Sequence, residues 1–548
     1  MLLEPGTEPR QQSEVGLRWW SNDAFVIGWK GHVYLSGEVA GSATVERFAR
    51  LLESAELAEI VGRLRGVFGL FVWRRATRSW QIAVDNSGFY KVYFDSRGAG
   101  TGFLELVRDR GLGRAGVSEH ALVEFLAYGA VSRGKTLARD IEELSGQEVL
   151  SLDEEQGVRR TAKLLDDADG LDAEHAVTEH FAALAHSLRG RRLSVDATGG
   201  FDSRLVMCML SRQRLEFELA ISGQQGTSDT EIARQIAQLL DQPFHLVGHD
   251  LDDFDEQLAA TFRAGDAQTD VRRLHRDRQA ALARLSRGVE VFAHGGGGEF
   301  FRDHYVIQDF PFYGSSRVNV QRYHDLRMLP VSIPPETLSA RARELLTTQT
   351  ASVLELCREM RSPTNNETYD KIYLHIRAPE FYGHYFSNYI NMGLDVTAPL
   401  ADYYNIQAAI RIPPWRRFFF RWHRHVITAN CPRLAALPTA DGFTASSEPR
   451  LMAGDVRAYA ATQMRRVARK LSQRLTGRGR FYTVGAFMAD AGGFMGKLRG
   501  SAQLPPALER LKAVGVLAPD VAAESLRDAH VGRALTVGMF LGEVDGLA

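Results

Sequence analysis

Leu193-Ser-Val-Asp196-Ala-Thr198-Gly199-Gly200-Phe201-Asp202-Ser203-Arg204-Leu205 sets the architecture of this 548-residue chain. Arg192–Ala197 is a short, mostly apolar run that predicts a buried strand, and Leu205–Ser211 predicts a helix leaving the glycine pair. A turn of this kind presents backbone amides, with the hydroxyls of Thr198 and Ser203, at a helix N-terminus. Such a place suits a pyrophosphate. Asp202 would hold the magnesium that neutralises it, because hard cations take carboxylate oxygens. The same residues also make an ordinary strand-to-helix turn, and the motif alone leaves both readings open.

The flanking segments alternate. A helix is predicted over Ala176–Leu188, a strand over Phe217–Ile221, a helix over Glu231–Leu240 and a strand over Phe244–Val247. Alternating strands and helices imply an α/β fold with a parallel sheet covered on both faces. From about residue 320 the chain reads mainly helical. The first 165 residues differ. Ala24–Leu35 predicts a hairpin broken at Lys30-Gly31, and Val45–Val61 a helix. Strand-like runs follow at Val67–Trp73, Trp80–Val84 and Lys91–Phe94, separated by turn residues, so an antiparallel sheet is expected. We place the boundary at 168/169, with a helical extension from about 450 to 548.

Hydrophobic residues are 45% and charged residues 24% of the chain, which excludes wholesale disorder and a coiled coil. A formal net charge of −1 exerts no global pull on nucleic acid. No apolar run reaches the roughly 18–20 residues of a membrane span. The first residues are polar rather than a secretory core, so a cytoplasmic protein is expected. Cys208, Cys357 and Cys431 lack metal-site spacing and read as buried apolar thiols.

Two other glycine motifs compete. Gly111-Leu-Gly113-Arg-Ala-Gly116 does not follow a strand-like run. Gly129-Ala-Val-Ser-Arg-Gly134-Lys135-Thr136 matches the phosphate-loop pattern, but Ser118–Tyr128 before it has helical spacing where that loop needs a strand. A nucleotide hydrolase using Lys135, which would release ADP, is the rival it defines.

Beyond the central motif, several segments in order resemble the asparagine synthetase family. Thr198-Gly-Gly-Phe-Asp202-Ser203 resembles its Ser-Gly-Gly-x-Asp-Ser signature, with threonine in the serine place. Ser222-Gly223, then Ser228-Asp229, Glu231 and His245, resemble the following strand and helix. His294-Gly295-Gly296-Gly297-Gly298-Glu299 resembles a second glycine loop, and Asn391–Asp402 a segment carrying Pro399-Leu400-Ala-Asp402. Leu437–Phe443 lies where the family has Lys-x-Gly-Phe, and Tyr128–Gly146 is similar to the stretch leading out of its amidotransferase domain. The resemblance runs from about residue 25 to 450.

It implies an N-terminal Ntn-type antiparallel sandwich, then an ATP-pyrophosphatase domain (adenine nucleotide α-hydrolase-like) with a helical C-terminal part. ATP and Mg2+ are the implied cofactors. The implied binding residues are Ala197, Thr198, Gly199, Gly200, Phe201, Asp202, Ser203, Ser222, Gly223, Gly295, Gly296 and Gly297. Asp202, Glu299, Arg204 and Asp229 are the implied catalytic residues, with Asp202 and Glu299 as metal ligands. Arg204, where the family has a small residue, would meet a phosphate or a substrate carboxylate. Asp229 reads equally as a helix N-cap, and His423 and His425 read as packing and surface residues.

The departures shape the expected function. Glutamine-hydrolysing relatives begin Met-Cys, whereas this chain begins Met1-Leu2-Leu3, which implies a degenerate class II glutamine amidotransferase-like domain. Such domains occur in β-lactam synthetases and lasso-peptide cyclases, whose amide closes a ring. Gly298 stands in the place of an aspartate, and Ala440 in that of a lysine thought to stabilise the acyl-adenylate; Arg424, Arg433 or Arg450 would have to replace that lysine. The implied activity is AMP-forming ligation of a carboxylate to an amine or free ammonia, in specialised biosynthesis. An intramolecular cyclase and a nucleotide-binding pseudoenzyme are the alternatives. The basic stretch Met464–Arg480 is a solvated helix face or a dock for an acidic partner.

Overall fold

The computed structural model describes residues 1–9, 14–35, 41–165, 172–309, 312–329, 331–440, 442–476 and 493–547. Residues up to 162 form two antiparallel sheets. The six-stranded sheet runs in the spatial order Gly157–Ala162, Glu148–Asp153, Ser79–Val84, Arg65–Arg74, Phe25–Tyr34 and Arg18–Ser21. The other has four strands, Leu2–Leu3, Gly98–Gly100, Tyr93–Asp95 and Glu142–Glu143.

The hairpin expected over Ala24–Leu35 is instead one strand, Phe25–Tyr34, paired without a break from Phe25 opposite Arg74 to Tyr34 opposite Arg65. Gly31 does not turn the chain. It lies opposite Phe68, where a Cβ would stand 2.3 Å from the Val67 carbonyl oxygen, so glycine permits the close approach of two backbones. The helix expected over Val45–Val61 is two, Ser42–Leu52 and Leu57–Ile60.

The second sheet is wholly parallel and has five strands. Across the sheet they are Phe244–Val247, Glu218–Ser222, Leu193–Asp196, Val291–Ala293 and Asp395–Thr397. Numbered along the chain, that order is 3-2-1-4-5. The last two strands have three residues each, too short to show a period in sequence. The helix leaving the central strand is Phe201–Arg212, and all residues from Ser203 to Leu210 are buried, so it is a core helix.

The chain's last helix, Asp528–Asp545, packs on Glu119–Tyr128 and on Val271–Ser286. Phe103, Phe125, Leu508, Leu535 and Phe540 share one core there, and Arg108 pairs with Glu543 at 2.7 Å. The C-terminal helices are therefore fastened to the first half of the chain. The backbone of the basic stretch is helical to Thr476, but its side chains from Arg465 onward, with Arg478 and Arg480, lie outside the described residues. Among the described residues no helix is long and apolar enough to cross a membrane.

Candidate functional site

In a doubly wound sheet the connections run in opposite directions from the point where strand order reverses, and a crevice opens beyond the carboxyl ends of the two strands there. Here those strands are Leu193–Asp196 and Val291–Ala293. Thr198-Gly-Gly leaves the first, and His294–Glu299 leaves the second. The two glycine loops touch. A Cβ on Gly295 would lie 2.9 Å from the Ser203 nitrogen, one on Gly298 2.4 Å from Asp202 Cγ, and one on Gly297 2.5 Å from the Ala401 nitrogen. Glycine is what lets the loops close on one another.

Within the first loop, the Thr198 and Ser203 hydroxyls share a 2.7 Å hydrogen bond, and the Ser203 hydroxyl also donates to the Thr198 carbonyl at 3.1 Å. Gly200 is the N-cap of the helix, so Asp202 occupies its first turn. Ala197 is buried, its amide donating to the Ala220 carbonyl. Phe201 stacks on Phe420, with ring centroids 4.1 Å apart and planes 5° from parallel. Phe419 and Phe420 both have positive φ, 54° and 58°. Bulky residues reach this region only under strain, and such strain gathers at functional sites.

The charges at the crevice are tightly paired. The Arg302 guanidinium donates to Asp202 Oδ2 at 2.9 Å, and His423 Nε2 lies 3.0 Å from Asp202 Oδ1. Burial opposes ionisation of Asp202, but Arg302 and His423 outweigh it and hold the carboxyl well below the usual range. Burial of the His423 ring lowers its pKa, and the 3.0 Å approach to Asp202 Oδ1 is a close contact in which neither atom makes a hydrogen bond. Glu299 is the opposite case. Burial and the nearby Asp202 charge raise its pKa. Its Oε1 accepts the Tyr382 hydroxyl at 2.8 Å and its Oε2 the Gly297 amide at 3.0 Å. His294 Nδ1 accepts the Gly296 amide at 2.8 Å.

Thr198, Gly199, Gly200, Phe201, Asp202, Ser203, Gly295–Gly297 and Glu299 are thus brought together. Asp229 joins them, its Oδ1 accepting the Gly199 amide at 3.2 Å, while the N-cap of its own helix is Thr227. Ser222 and Gly223 end the neighbouring strand, and the Gly223 amide donates to the Val247 carbonyl, across the sheet.

Arg204 has a different place from the one expected. It is fully buried, and its guanidinium donates to the carbonyls of Leu437 at 2.6 Å, Pro438 at 2.7 Å and Leu434 at 3.3 Å. Arg204 is the fourth residue of the core helix Phe201–Arg212 and lies within its buried run, so it positions the 434–438 segment rather than facing the crevice. That segment leads to Ala440, whose amide donates to the Gly199 carbonyl at 3.1 Å. Of the cations expected to replace the family's lysine there, Arg424 is fully buried and paired with Asp455 at 2.7 Å; Arg433 and Arg450 are exposed.

Lys135 is also elsewhere. It is half exposed and paired with Glu142, and Gly129 caps the helix Glu119–Tyr128 with φ 81°. A helix where a phosphate loop needs a strand leaves no converging amides. Gly113 caps only the short turn Arg114–Gly116.

Sequence reasoning missed Arg302, Tyr382 and His423 as groups of the site. Arg302 carried a signal, since it follows Glu299 in the same loop and two clustered carboxylates call for a cation. His423 and Tyr382 come from remote helices and carried none.

No protein-family model matches this chain, and no curated protein matches it in sequence. Among solved structures, the glutamine-dependent NAD+ synthetase from Acinetobacter baumannii, in complex with ADP, aligns over 30% of this chain and 31% of that one. The identity is 14% and the TM-score 0.18, a likeness too slight to carry an argument. The chain thus spans about a third of that enzyme's length.

Proposed function

We propose that this chain is an ATP-dependent amide ligase releasing AMP and pyrophosphate, with the nucleotide held between the Thr198–Ser203 and His294–Glu299 loops. The observation that carries it is the meeting of two glycine loops at the reversal point of a 3-2-1-4-5 sheet, against a helix N-terminus. The amides of that helix, with the Thr198 and Ser203 hydroxyls, suit a pyrophosphate. A carboxylate substrate attacks the α-phosphorus and expels pyrophosphate; an amine, or ammonia, then displaces AMP from the acyl-adenylate. The protein's share is positioning and charge stabilisation. Asp229 holds the first loop through the Gly199 amide, and Tyr382 orients Glu299. In this reading the nitrogen arrives as a free amine or ammonia, since residues 1–207 hold no cysteine that could act as a glutaminase thiol.

A second reading, a nucleotide-binding module without turnover, is favoured by one observation. Ala440 sits against Gly199, and Arg424 is engaged by Asp455 rather than by the crevice.

Binding of a non-hydrolysable ATP analogue to the wild type, to Thr198→Val/Ser203→Ala and to Lys135→Ala tests the nucleotide site. Expected is equal binding by wild type and Lys135→Ala, with at least about a tenfold loss in the double variant. Retained binding in the double variant, or loss in Lys135→Ala, refutes the site. Hydroxylamine with a panel of carboxylates then reads the chemistry. AMP with a hydroxamate supports the ligase, ADP refutes it, and binding without turnover supports the second reading.

A further inference from the structure

The wall of the crevice continues past Glu299. The segment that supplies Tyr382 runs through two π-helical turns, Tyr373–Arg377 and Pro379–Gly383. Turns of this kind are uncommon and often lie at functional sites, because the wider turn re-aims the side chains around it. The helix Val271–Ser286 meets this segment. Its Arg284 donates to Asp196 Oδ1 at 2.6 Å, at the end of the central strand. Arg273 and Asp277 precede Arg284 by eleven and seven residues, about three and two turns, so all three share one face of the helix. On that face Arg273 Cζ lies 4.0 Å from the centroid of the Phe381 ring. Phe381 meets Tyr382 edge-on, with ring centroids 5.4 Å apart, and Tyr382 donates to Glu299 at 2.8 Å. Two rings therefore join Arg273 to the crevice.

The charges along this wall are matched in pairs, with one exception. Arg284 holds Asp196, Arg276 Nε lies 3.9 Å from Asp277, and Arg377 donates to Glu380 at 3.3 Å. Among the described residues the Arg273 guanidinium makes no hydrogen bond and no ion pair; what it touches is the Phe381 ring. Burial lowers its pKa and nearby Arg377 lowers it further, against the pull of Asp270 and Asp277, yet Arg273 is exposed. A group that is walled in and still reached by water lines a cleft. A guanidinium over an aromatic ring is held in place while its N–H groups stay free for a planar anion. Three helical turns also set Arg273 well beyond Asp196, so an anion there is remote from the glycine loops.

We propose that Arg273, positioned by Phe381, binds a second anionic group on the carboxylate substrate, which is then an elongated dianion whose other carboxyl is activated at the glycine loops. The proposal rests on the ligase reading above, and the test separates the two. The probes are adipate, suberate and sebacate, their monomethyl esters, and the ω-amino acids of equal length. Calorimetry titrates each into protein saturated with the non-hydrolysable ATP analogue, for the wild type, Arg273→Gln and Arg273→Glu. Far-UV circular dichroism and melting establish that each variant is folded. The wild type is expected to bind at least one dicarboxylate about tenfold or more tightly than its monomethyl ester. Arg273→Gln should bring that ratio to within about twofold, because the charge-assisted bonds are gone. Arg273→Glu should move the preference to the ω-amino acid, a reversal that a merely structural role would not produce. Equal binding of diacid and ester by the wild type, or the wild-type ratio in Arg273→Gln, overturns the proposal and leaves the nucleotide site standing. Failure of the ATP analogue itself to bind removes the ligase reading, and this one with it.

Discussion

Replacing Arg204 by methionine separates a residue that positions from one that binds substrate. The guanidinium is fully buried and holds three carbonyl oxygens, at Leu437, Pro438 and Leu434. Burial lowers its pKa to about 10, still charged at neutrality. Hydrogen bonds from a charged donor contribute roughly 1.5–3 kcal/mol each, and a carbonyl left buried without a donor costs about 1–3 kcal/mol. The two short bonds dominate, the longer one adds little, and the buried methionine returns part of the loss through its apolar surface. The expected destabilisation is about 3 kcal/mol. Urea unfolding followed by tryptophan fluorescence should show the transition that includes the parallel sheet moving down by about 1 M, taking a slope near 3 kcal/mol/M. Loosening reaches the Thr198–Ser203 loop through the Ala440 amide on Gly199, so affinity for the ATP analogue should fall only a few-fold. Arg204→Lys should lie between, because one ammonium cannot reach all three carbonyls. An unchanged urea transition together with a tenfold or greater loss of affinity would refute this reasoning and return Arg204 to the crevice.

Gly298→Ala places a Cβ 2.4 Å from Asp202 Cγ, so the aspartate must move off Arg302. Overpacking of this kind costs about 1–3 kcal/mol, and titration calorimetry should show about tenfold weaker analogue binding with a small change in melting. Glu143 is buried, which alone would raise its pKa, but Lys91 at 2.9 Å and His384 at 3.0 Å outweigh burial and lower it to about 2. A carboxyl depressed in the folded state adds stability that is complete above its unfolded pKa, near 4.5, and is lost as pH falls from there toward 2. Glu143→Gln should therefore lower the melting temperature at pH 7 and flatten its decline between pH 4.5 and 2; a decline equal to the wild type's would count against the ion cluster.

The elements legible in sequence were those with enough residues to show a period or a turn. Glu231–Leu240 emerged inside the observed helix Ser228–Leu240, and Phe244–Val247 matched its strand end to end. Val291–Ala293 and Asp395–Thr397 did not emerge, because three residues carry no alternation and their pairing comes from strands far along the chain. Gly31 misled, since a glycine between apolar runs reads the same whether it turns a chain or admits a neighbour's backbone. At the site, the positions of Thr198, Asp202 and Ser203 could be read because local geometry places them, whereas Glu299 was reached only through the family resemblance. A strand-turn-helix puts its hydroxyls and first-turn carboxylate at the helix N-terminus whatever surrounds it.

The sequence by itself determined where the two glycine loops lie, the strand and helix around the first of them, and the absence of any cysteine before Cys208. Tertiary structure alone decided which side chains face the crevice. Arg204 is adjacent to Ser203 yet points into the core, because successive helix residues lie about 100° apart around the axis. His423 and Tyr382 arrive on helices remote in the chain, and Arg302 turns back from the second loop onto Asp202. Partners of a buried charge are chosen by which elements pack together, and no local pattern encodes that choice.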